Sequence, residues 1–502
     1  MADTSAISPY VVRLGGGLVL DRDTFSIPPG AATQLQNFEP DIKGGYRRIN
    51  GFTKYDTNQL GGSTGTVLGV ALYKNQVIAA KGTVVYKGSG SGWTSIDTGR
   101  TSAGRYEFEV FNFNNTEKII WADGQNAPSV YDNSSVTDVS ASSVSGASLV
   151  AVFKNHMFYA GMSSTPQEMV FSSPYDEDDF SAANGAGSIR VDSDIRQIKV
   201  FRERLFVFCE DQIYMVQGNS QADFTLQPVT RSIGCLDGKS VQEIGGDLIY
   251  LAPDGLRTIA GTERIADVEL GTVSKQVQQR IDDIGLDRIS SLVIREKSQY
   301  RLFFPEDLQL ASAAKGIIGV IKAGLEGGIG WEYADLKGIK PACCASGFVS
   351  GTETVIHGGY DGYVYKQESG DDFDGTSIQA IYDSPAHFMG DAGLRKNMQR
   401  IIWNYNNEGV VDSTFRIRYD FNSKDAAQPS PYNLETGGSV AIYGLAASKY
   451  GTAVYGSSGD PLVRQTIEGG GFTVGVRVDD SAGLAPFSLK AYQLEFTPGG
   501  RR

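Results

Sequence analysis

The sequence predicts a mostly β chain: a β-propeller of about seven blades, with six and eight as the neighbouring counts, beside a β-rich platform built from the N- and C-terminal segments. Two observations predict it. A strand-turn-strand phrase recurs at a period of roughly 40 to 50 residues through the middle of the chain. Both ends lie outside that repeat, yet stretches of them keep the two-residue alternation of strands.

The repeat begins at Val67. Each copy holds an apolar strand ending in an aromatic or aliphatic residue, a polar turn of three or four residues, a second apolar strand and a short third strand rich in Tyr. "GVALYKNQVIAAKGTVVYKG" places the turn at Lys74-Asn75-Gln76, and "LVAVFKNHMFYAG" places it at Lys154-Asn155-His156. Two further copies turn at Arg202-Glu203-Arg204 and Gly245-Gly246-Asp247, and "EVFNFNNTEKIIWADG" has a turn one or two residues longer. The residues before the turns are Tyr73, Phe113, Phe153, Phe201 and Ile244, spaced by 40, 40, 48 and 43. Looser copies over Ser291–Asp307 and Ser346–Gln367 bring the number to seven. A small antiparallel sheet of this kind cannot bury both faces alone, so successive copies must stack around an axis. The alternation within each copy is only moderately clean, as expected of strands packed on both faces.

One helix interrupts the pattern. "GTVSKQVQQRIDDIG" puts Val273, Val277, Ile281 and Ile284 on one face, with Gly285 as the stop, and predicts an inserted helix over 271–285 packed by that stripe on a blade edge.

Beyond Thr376 the texture changes. In "STFRIRYDFN", Phe415, Ile417 and Tyr419 alternate with Thr414, Arg416 and Arg418, a half-buried strand. "GFTVGVRVDD" and "FSLKAYQLEFTPGGRR" supply two more. The organisation expected is an N-terminal arm and part of the platform over 1–65, a propeller over 66–375, and a separate β-sandwich-like platform over 376–502, with a strand around Val11–Leu20 packing against it.

Composition excludes several classes. Of the 502 residues 41% are hydrophobic and 21% charged, ordinary globular usage that argues against disorder. The longest apolar candidate, "KGIIGVIKAGLEGGIGW", is broken by Lys322 and Glu326, and the start has no basic-then-apolar leader, so neither insertion nor export is expected. The net charge of −13 disfavours tight binding to DNA, and would suit a wall that DNA slides past. Cys209, Cys235, Cys343 and Cys344 form neither a CxxC pair nor a disulfide framework and read as small buried hydrophobes.

Catalytic signals are weak. The acidic run Asp176, Glu177, Asp178 and Asp179 reads as a solvated loop rather than an acid/base pair. "GSGWTSIDTG" faintly resembles a sialidase Asp-box but lacks the early aspartate and does not recur. His156, His357 and His387 are scattered, with no Cys or His at ligand spacing, and there is no GxGxxG after a strand, no P-loop and no GxSxG. No catalytic residue, cofactor or metal is expected.

The stretch "GGGLVLDRDTFSIPPGAATQLQNFEPDIKGGYRRINGF" resembles the N-terminal signature of the tail nozzle proteins of short-tailed bacteriophages, also described as tail tubular protein B or DNA-stabilisation proteins. Gly16-Gly17-Leu18, Pro28-Pro29-Gly30, Leu35-Gln36-Asn37-Phe38-Glu39 and Gly44-Gly45-Tyr46-Arg47-Arg48 occupy the places of that pattern. "DSPAHFMGDAGLRKNMQRI", "YGTAVYGSSGD", "LEFTPGGRR" and "FSSPYDEDDF" resemble it too. At 502 residues the chain has little room for the insertions that form a long tip in larger nozzles.

The resemblance implies a non-enzymatic virion protein, made in the host cytoplasm. It implies a homo-hexameric ring on the phage tail adaptor, holding and then conducting the genomic DNA, with tail fibres and the host envelope as further partners. Pro28 and Pro29 would turn an extended arm along a neighbouring surface, and Arg47 and Arg48 would pair with carboxylates of an adjoining subunit or ring. Arg395 and Lys396 complete the candidate interface. The alternative is a propeller that binds or cleaves host-envelope carbohydrate.

Overall fold

The computed structural model describes residues 7–102, 104–259, 272–285, 288–305, 314–323, 329–435 and 462–501. Its centre is a ring of antiparallel sheets whose first strands contact one another in chain order, except that the fourth meets the 3₁₀ turn Gly238–Ser240 that leads into the fifth. Blade 1 comprises Val67–Tyr73, Gln76–Lys81, Val84–Gly88 and Trp93–Asp97. Blades 2, 3 and 4 repeat that four-stranded order from Glu107–Phe113, Leu149–Phe153 and Ile195–Phe201, and blade 5 has three described strands from Gln242–Ile244. The last blade consists of Cys343–Val349, Thr352–Gly358 and Val364–Gln367, with Phe52–Lys54 as its outer strand. These six sheets stand alone. The remaining place, between blade 5 and the last blade, is filled by Ser290–Ile294, Gln299–Phe303, Lys315–Ala323 and Ile329–Lys337, here blade 6, one end of a nine-stranded sheet. The last blade is blade 7.

The five residues that mark the repeat, Tyr73, Phe113, Phe153, Phe201 and Ile244, are each the last residue of a first strand. The turns are shorter than the sequence predicts. Two residues suffice, both at positive φ: Lys74-Asn75, Asn114-Asn115, Lys154-Asn155, Arg202-Glu203, Gly245-Gly246 and, in blade 7, Ser350-Gly351. Such a left-handed pair matches the twist of the flanking strands and fixes their register. The second turn is no longer than the others, because Thr116 already pairs with Phe113. Apolar cores fill the gaps between blades: Phe158, Phe171, Val207 and Tyr214 pack between blades 3 and 4.

The predicted helix is shorter than 271–285. One 3₁₀ turn, Lys275–Val277, leads into an α-helix over Gln278–Asp282, and Gly271 lies outside the described residues. The apolar stripe is nonetheless used: Val277 and Ile281 are buried in the main core and Val273 and Ile284 pack against it. No helix among the described residues is long and apolar enough to cross a membrane.

Two sheets form the platform. Beyond blade 6 the nine-stranded sheet runs through Gln34–Gln36, Ala380–Asp383, Val474–Asp480, Asp412–Tyr419 and Tyr432–Glu435. Gln36 pairs in parallel with Asp335 of blade 6 and antiparallel with Ile381, so the N-terminal strand is the seam between propeller and platform. The seven-stranded sheet gathers Phe38–Pro40, Tyr46–Arg48, Phe487–Arg501, Leu394–Asn407 and Leu462–Thr466, with Ser8–Arg13 and Gly470–Gly471 as side branches. The sheets face each other across a core in which Trp403 meets Phe415 at 5.5 Å and Tyr46 meets Tyr382 at 5.6 Å. Phe415, Ile417 and Tyr419 point into it while Arg416 is exposed, the alternation read from the sequence.

The platform is therefore not set off at residue 376. One sheet and one core cross that position, and Phe52–Lys54 belongs to the propeller. The opening strand is Ser8–Arg13, earlier than Val11–Leu20, because Gly15, Gly16 and Gly17 follow with φ of 156°, 99° and 68°.

Candidate functional site: the charged joint between propeller and platform

The signature near the N-terminus has one structural use: it crosses from the propeller to the platform. Asn37 shows how. Its φ is 55°, and its buried amide donates to Lys337 O at 3.0 Å and Gln379 O at 2.9 Å while its Oδ1 accepts from Lys337 N at 2.8 Å. Asparagine tolerates the left-handed conformation and carries both a donor and an acceptor, so one side chain closes the gap where three strands diverge.

The glycines serve close approach. A Cβ on Gly30 would lie 2.0 Å from the Arg13 carbonyl oxygen, and one on Gly17 would lie 2.7 Å from Tyr333 N. Ala31 N donates to Pro28 O at 3.0 Å, which closes the Pro28-Pro29-Gly30 turn. The arm thus follows a surface closely, as the sequence predicts, and that surface is blade 6 of its own chain: Leu18 N donates to Tyr333 O at 2.7 Å. Pro28 and Pro29 themselves are exposed.

Arg47 and Arg48 alternate across their strand and so reach two sites. Arg47 makes a two-pronged pair with Glu408, Nε to Oε1 at 2.6 Å and Nη2 to Oε2 at 2.7 Å, and its Nη1 donates to Glu39 at 3.2 Å. Glu39, itself buried, also accepts from Lys297 Nζ at 2.7 Å, Gln299 Nε2 at 3.0 Å and Arg301 Nη2 at 3.3 Å. Arg301 and Lys297 both continue to Glu368, and Arg301 Nη1 donates to Gln367 at 3.1 Å. One network of three cations and three carboxylates therefore ties the N-terminal signature, blade 6, blade 7 and the C-terminal sheet. Burial alone would raise the Glu368 carboxyl, but Arg301 and Lys297 outweigh it and hold it at about 2.

Arg48 has no exposed surface. Its guanidinium pairs with Asp480 at 3.4 Å and donates to the carbonyls of Asp371, at 3.2 Å, and Leu484. Burial pushes the arginine below and Asp480 above their ordinary values. The expectation that Arg47 and Arg48 reach an adjoining subunit is thus corrected: the carboxylates they meet belong to their own chain. Lys396 is likewise buried, its Nζ donating to Phe472 O at 3.0 Å and Asp391 O at 2.5 Å. Arg395 stays at the surface and donates to Gly470 O at 3.2 Å. Of the six candidates, Pro28, Pro29 and Arg395 remain exposed.

Sequence reasoning missed Glu39, Lys297, Arg301, Glu368 and Glu408 as a set. A signal existed for Arg301, a charge inside the apolar run "QYRLFF" that both faces of the sheet bury. Its carboxylate partners Glu39 and Glu368 come from two distant segments, and nothing in the sequence pairs them with it.

The weaker chemical signals resolve into ordinary structure. Glu177 pairs with Lys118, Asp178 accepts from Ser140 N at 2.7 Å, and Asp179 accepts from Ser181 N at 2.9 Å, so the acidic loop ties blade 3 to blade 2 and caps its own turn. Asp97 of the Asp-box-like phrase pairs with Arg100 at 2.8 Å. All three histidines are buried singly: His156 against Ser172 O at 2.6 Å, His357 against Gln367 at 3.2 Å and His387 against Tyr492 Oη at 2.6 Å. Burial lowers His357 to about 3 and His387 to about 4, so both are neutral at physiological pH. Among the described residues no group of three His, Cys, Asp or Glu side chains could hold a metal ion, and the four cysteines are free thiols. "YGTAVYGSSGD" lies outside the described residues.

Neither a protein-family model nor a curated protein matches the chain. Solved structures do. It is similar to the computationally designed Ika8 protein at 10% identity and a TM-score of 0.35, over 62% of this chain and 99% of that one. An ancestral GH74 enzyme aligns at 13% identity and 0.40, over 71% of this chain and 53% of that one. The extracellular domain of a one-component system from B. thetaiotaomicron aligns at 9% and 0.40, over 72% of this chain and 44% of that one. The chain thus spans about half the length of the last two.

Proposed function

We propose that this chain is the tail nozzle of a short-tailed phage, a structural virion protein that assembles as a homo-hexameric ring on the tail adaptor. In this reading the ring closes the DNA channel before infection and conducts the genome during ejection. The observation that carries it is where the signature residues go. Gly17, Gly30, Asn37, Glu39, Arg47 and Arg48 all build the seam that fuses both chain ends into one platform on a propeller. A motif whose buried residues are spent on rigid joining suits a load-bearing part.

The platform also offers a surface for ring contacts. Phe25 and Phe421, 64% and 56% exposed, form a cluster with Phe388 at centroid distances of 5.1 and 5.8 Å from Phe25. Asp420, Phe421 and Asn422 are all held at positive φ to present it, a conformation costing L-residues about 1 kcal/mol or more each.

The test is the mass and symmetry of the native assembly, by electron microscopy of tails or of the protein mixed with its adaptor. A six-fold ring with an axial passage is expected. A monomer at the tail periphery that turns over host polysaccharide would overturn the reading in favour of the carbohydrate-cleaving alternative.

A further inference from the structure

A cavity of about 370 Å³ lies on the propeller axis, lined by the first strands of blades 1, 2, 4, 5, 6 and 7. Its charge runs against that of the whole chain. Arg105, Lys199, Lys239 and Arg295 line it; among the described residues Glu107 is the one lining carboxylate, with Glu109 two residues on along the same strand.

Two of these four cations are occupied. Lys239 pairs with Glu107 and donates to Tyr106 O at 3.2 Å, and Arg295 lies 3.9 Å from Glu353. Two donors are not. Lys199 has no hydrogen bond or ion pair among the described residues, although both Glu107 and Glu109 feel its charge. Arg105 lines the cavity, gives one Nη to Ile289 O, and its buried Nε has no hydrogen-bond partner among the described residues. An unspent ammonium beside the guanidinium of Arg105, both lining a polar cavity of ligand size, forms the donor set of an anion site.

We propose that the axial cavity of the propeller binds a small oxyanion of the phosphate or sulfate type, held by Lys199 and Arg105. The proposal stands apart from the nozzle reading, since it rests on one chain. Glu109 sets its pH dependence. Burial raises that carboxyl to about 7, with Lys199 opposing and Glu107 assisting; the adjacent first strands of blades 1 and 3, Val67–Tyr73 and Leu149–Phe153, carry no charged residue. As pH falls through that value Glu109 becomes neutral and stops competing for Lys199.

Calorimetric titration of the full chain with sodium sulfate, which does not titrate in this range, tests the idea at constant ionic strength. Saturable binding is expected, tightening several-fold from about pH 8 to about pH 6. Lys199→Gln should weaken it by about tenfold or more, and Lys199→Arg should retain it. Glu109→Gln should abolish the pH dependence, and unchanged melting temperatures show that each variant folds. Glucose 6-phosphate separates the sources: tighter binding than sulfate assigns a phosphorylated sugar, equal or weaker binding a free inorganic anion. No saturable heat up to tens of millimolar, or equal binding by Lys199→Gln, would overturn the proposal.

Discussion

Blades 1 to 4 and the platform are both antiparallel β structure, yet they are assembled by opposite rules. In a blade each strand pairs with the next one along the chain: Tyr73 faces Gln76, and Phe153 faces His156. In the platform the pairings that join the two ends of the chain are hundreds of residues apart: Ser8 faces Phe496, Arg47 faces Ser488 and Gln34 faces Asp383. Local pairing closes small loops, and a two-residue turn sets its register. Remote pairing must offset a larger closure entropy, and at the platform seam it is accompanied by a network of three cations and three carboxylates, larger than the buried Arg100–Asp97–Asp123 cluster of the blades, and by close glycine contacts. Where closure is costly, register is specified by side chains and by steric fit.

The comparison can be broken at several points. Glu39→Ala strikes hardest: it strands Arg47, Lys297 and Arg301 around an empty place, and a loss of about 3–5 kcal/mol is expected in chemical denaturation. The blade-to-blade counterpart, Glu203→Ala, removes an exposed pair with Lys154 and should leave the denaturation midpoint nearly unchanged. Equal losses would show that the joint is no more important than the blade surfaces.

Acid should attack the joint next. Glu368 is depressed from 4.5 to about 2, so its contribution is fully present above the unfolded value and is lost as pH falls from about 4.5 towards 2. Melting temperature followed across that window should fall more steeply for the native chain than for Glu368→Gln. Parallel curves would remove Glu368 from the account.

Gly30→Ala sharpens the steric side. Its Cβ would press on the Arg13 carbonyl, and about 1–3 kcal/mol should be lost, against almost nothing for Gly44→Ala beyond its φ of 89°, since no atom lies within 4 Å there. The smallest effect is a gain. Replacing Arg202-Glu203 by Asn-Gly relieves two side chains at φ of 47° and 61° and should stabilise the chain by about 1 kcal/mol, read as a raised midpoint at unchanged slope.

Much of the propeller was legible because its signals are local. Tyr73, Phe113, Phe153, Phe201 and Ile244 end their strands as the period requires, and Lys74-Asn75 and its counterparts are turn chemistry visible in the chain. The turn length was misjudged because Gln76 and His156 are polar and look like turn residues; in fact each already pairs across the hairpin. At the candidate joint the N-terminal half could be seen as a dense motif. Its meaning could not, because Arg47 and Arg48 look the same whether their carboxylates sit on another chain or on this one.

By itself the sequence determined the periodic ring, the places of its turns, the alternation of Phe415, Ile417 and Tyr419, and the close backbone approaches that glycine permits at Gly17 and Gly30. Each of these depends on a residue and its near neighbours. The tertiary structure alone decided that blade 6 runs on into the platform through Gln36 and Asp335, that Glu39 gathers cations from the N-terminal strand and blade 6, and that Lys199 lines the axial cavity with no partner among the described residues. Those outcomes depend on which distant segments come within a few ångströms of each other, and burial then makes an ordinary charge either a tie or a site.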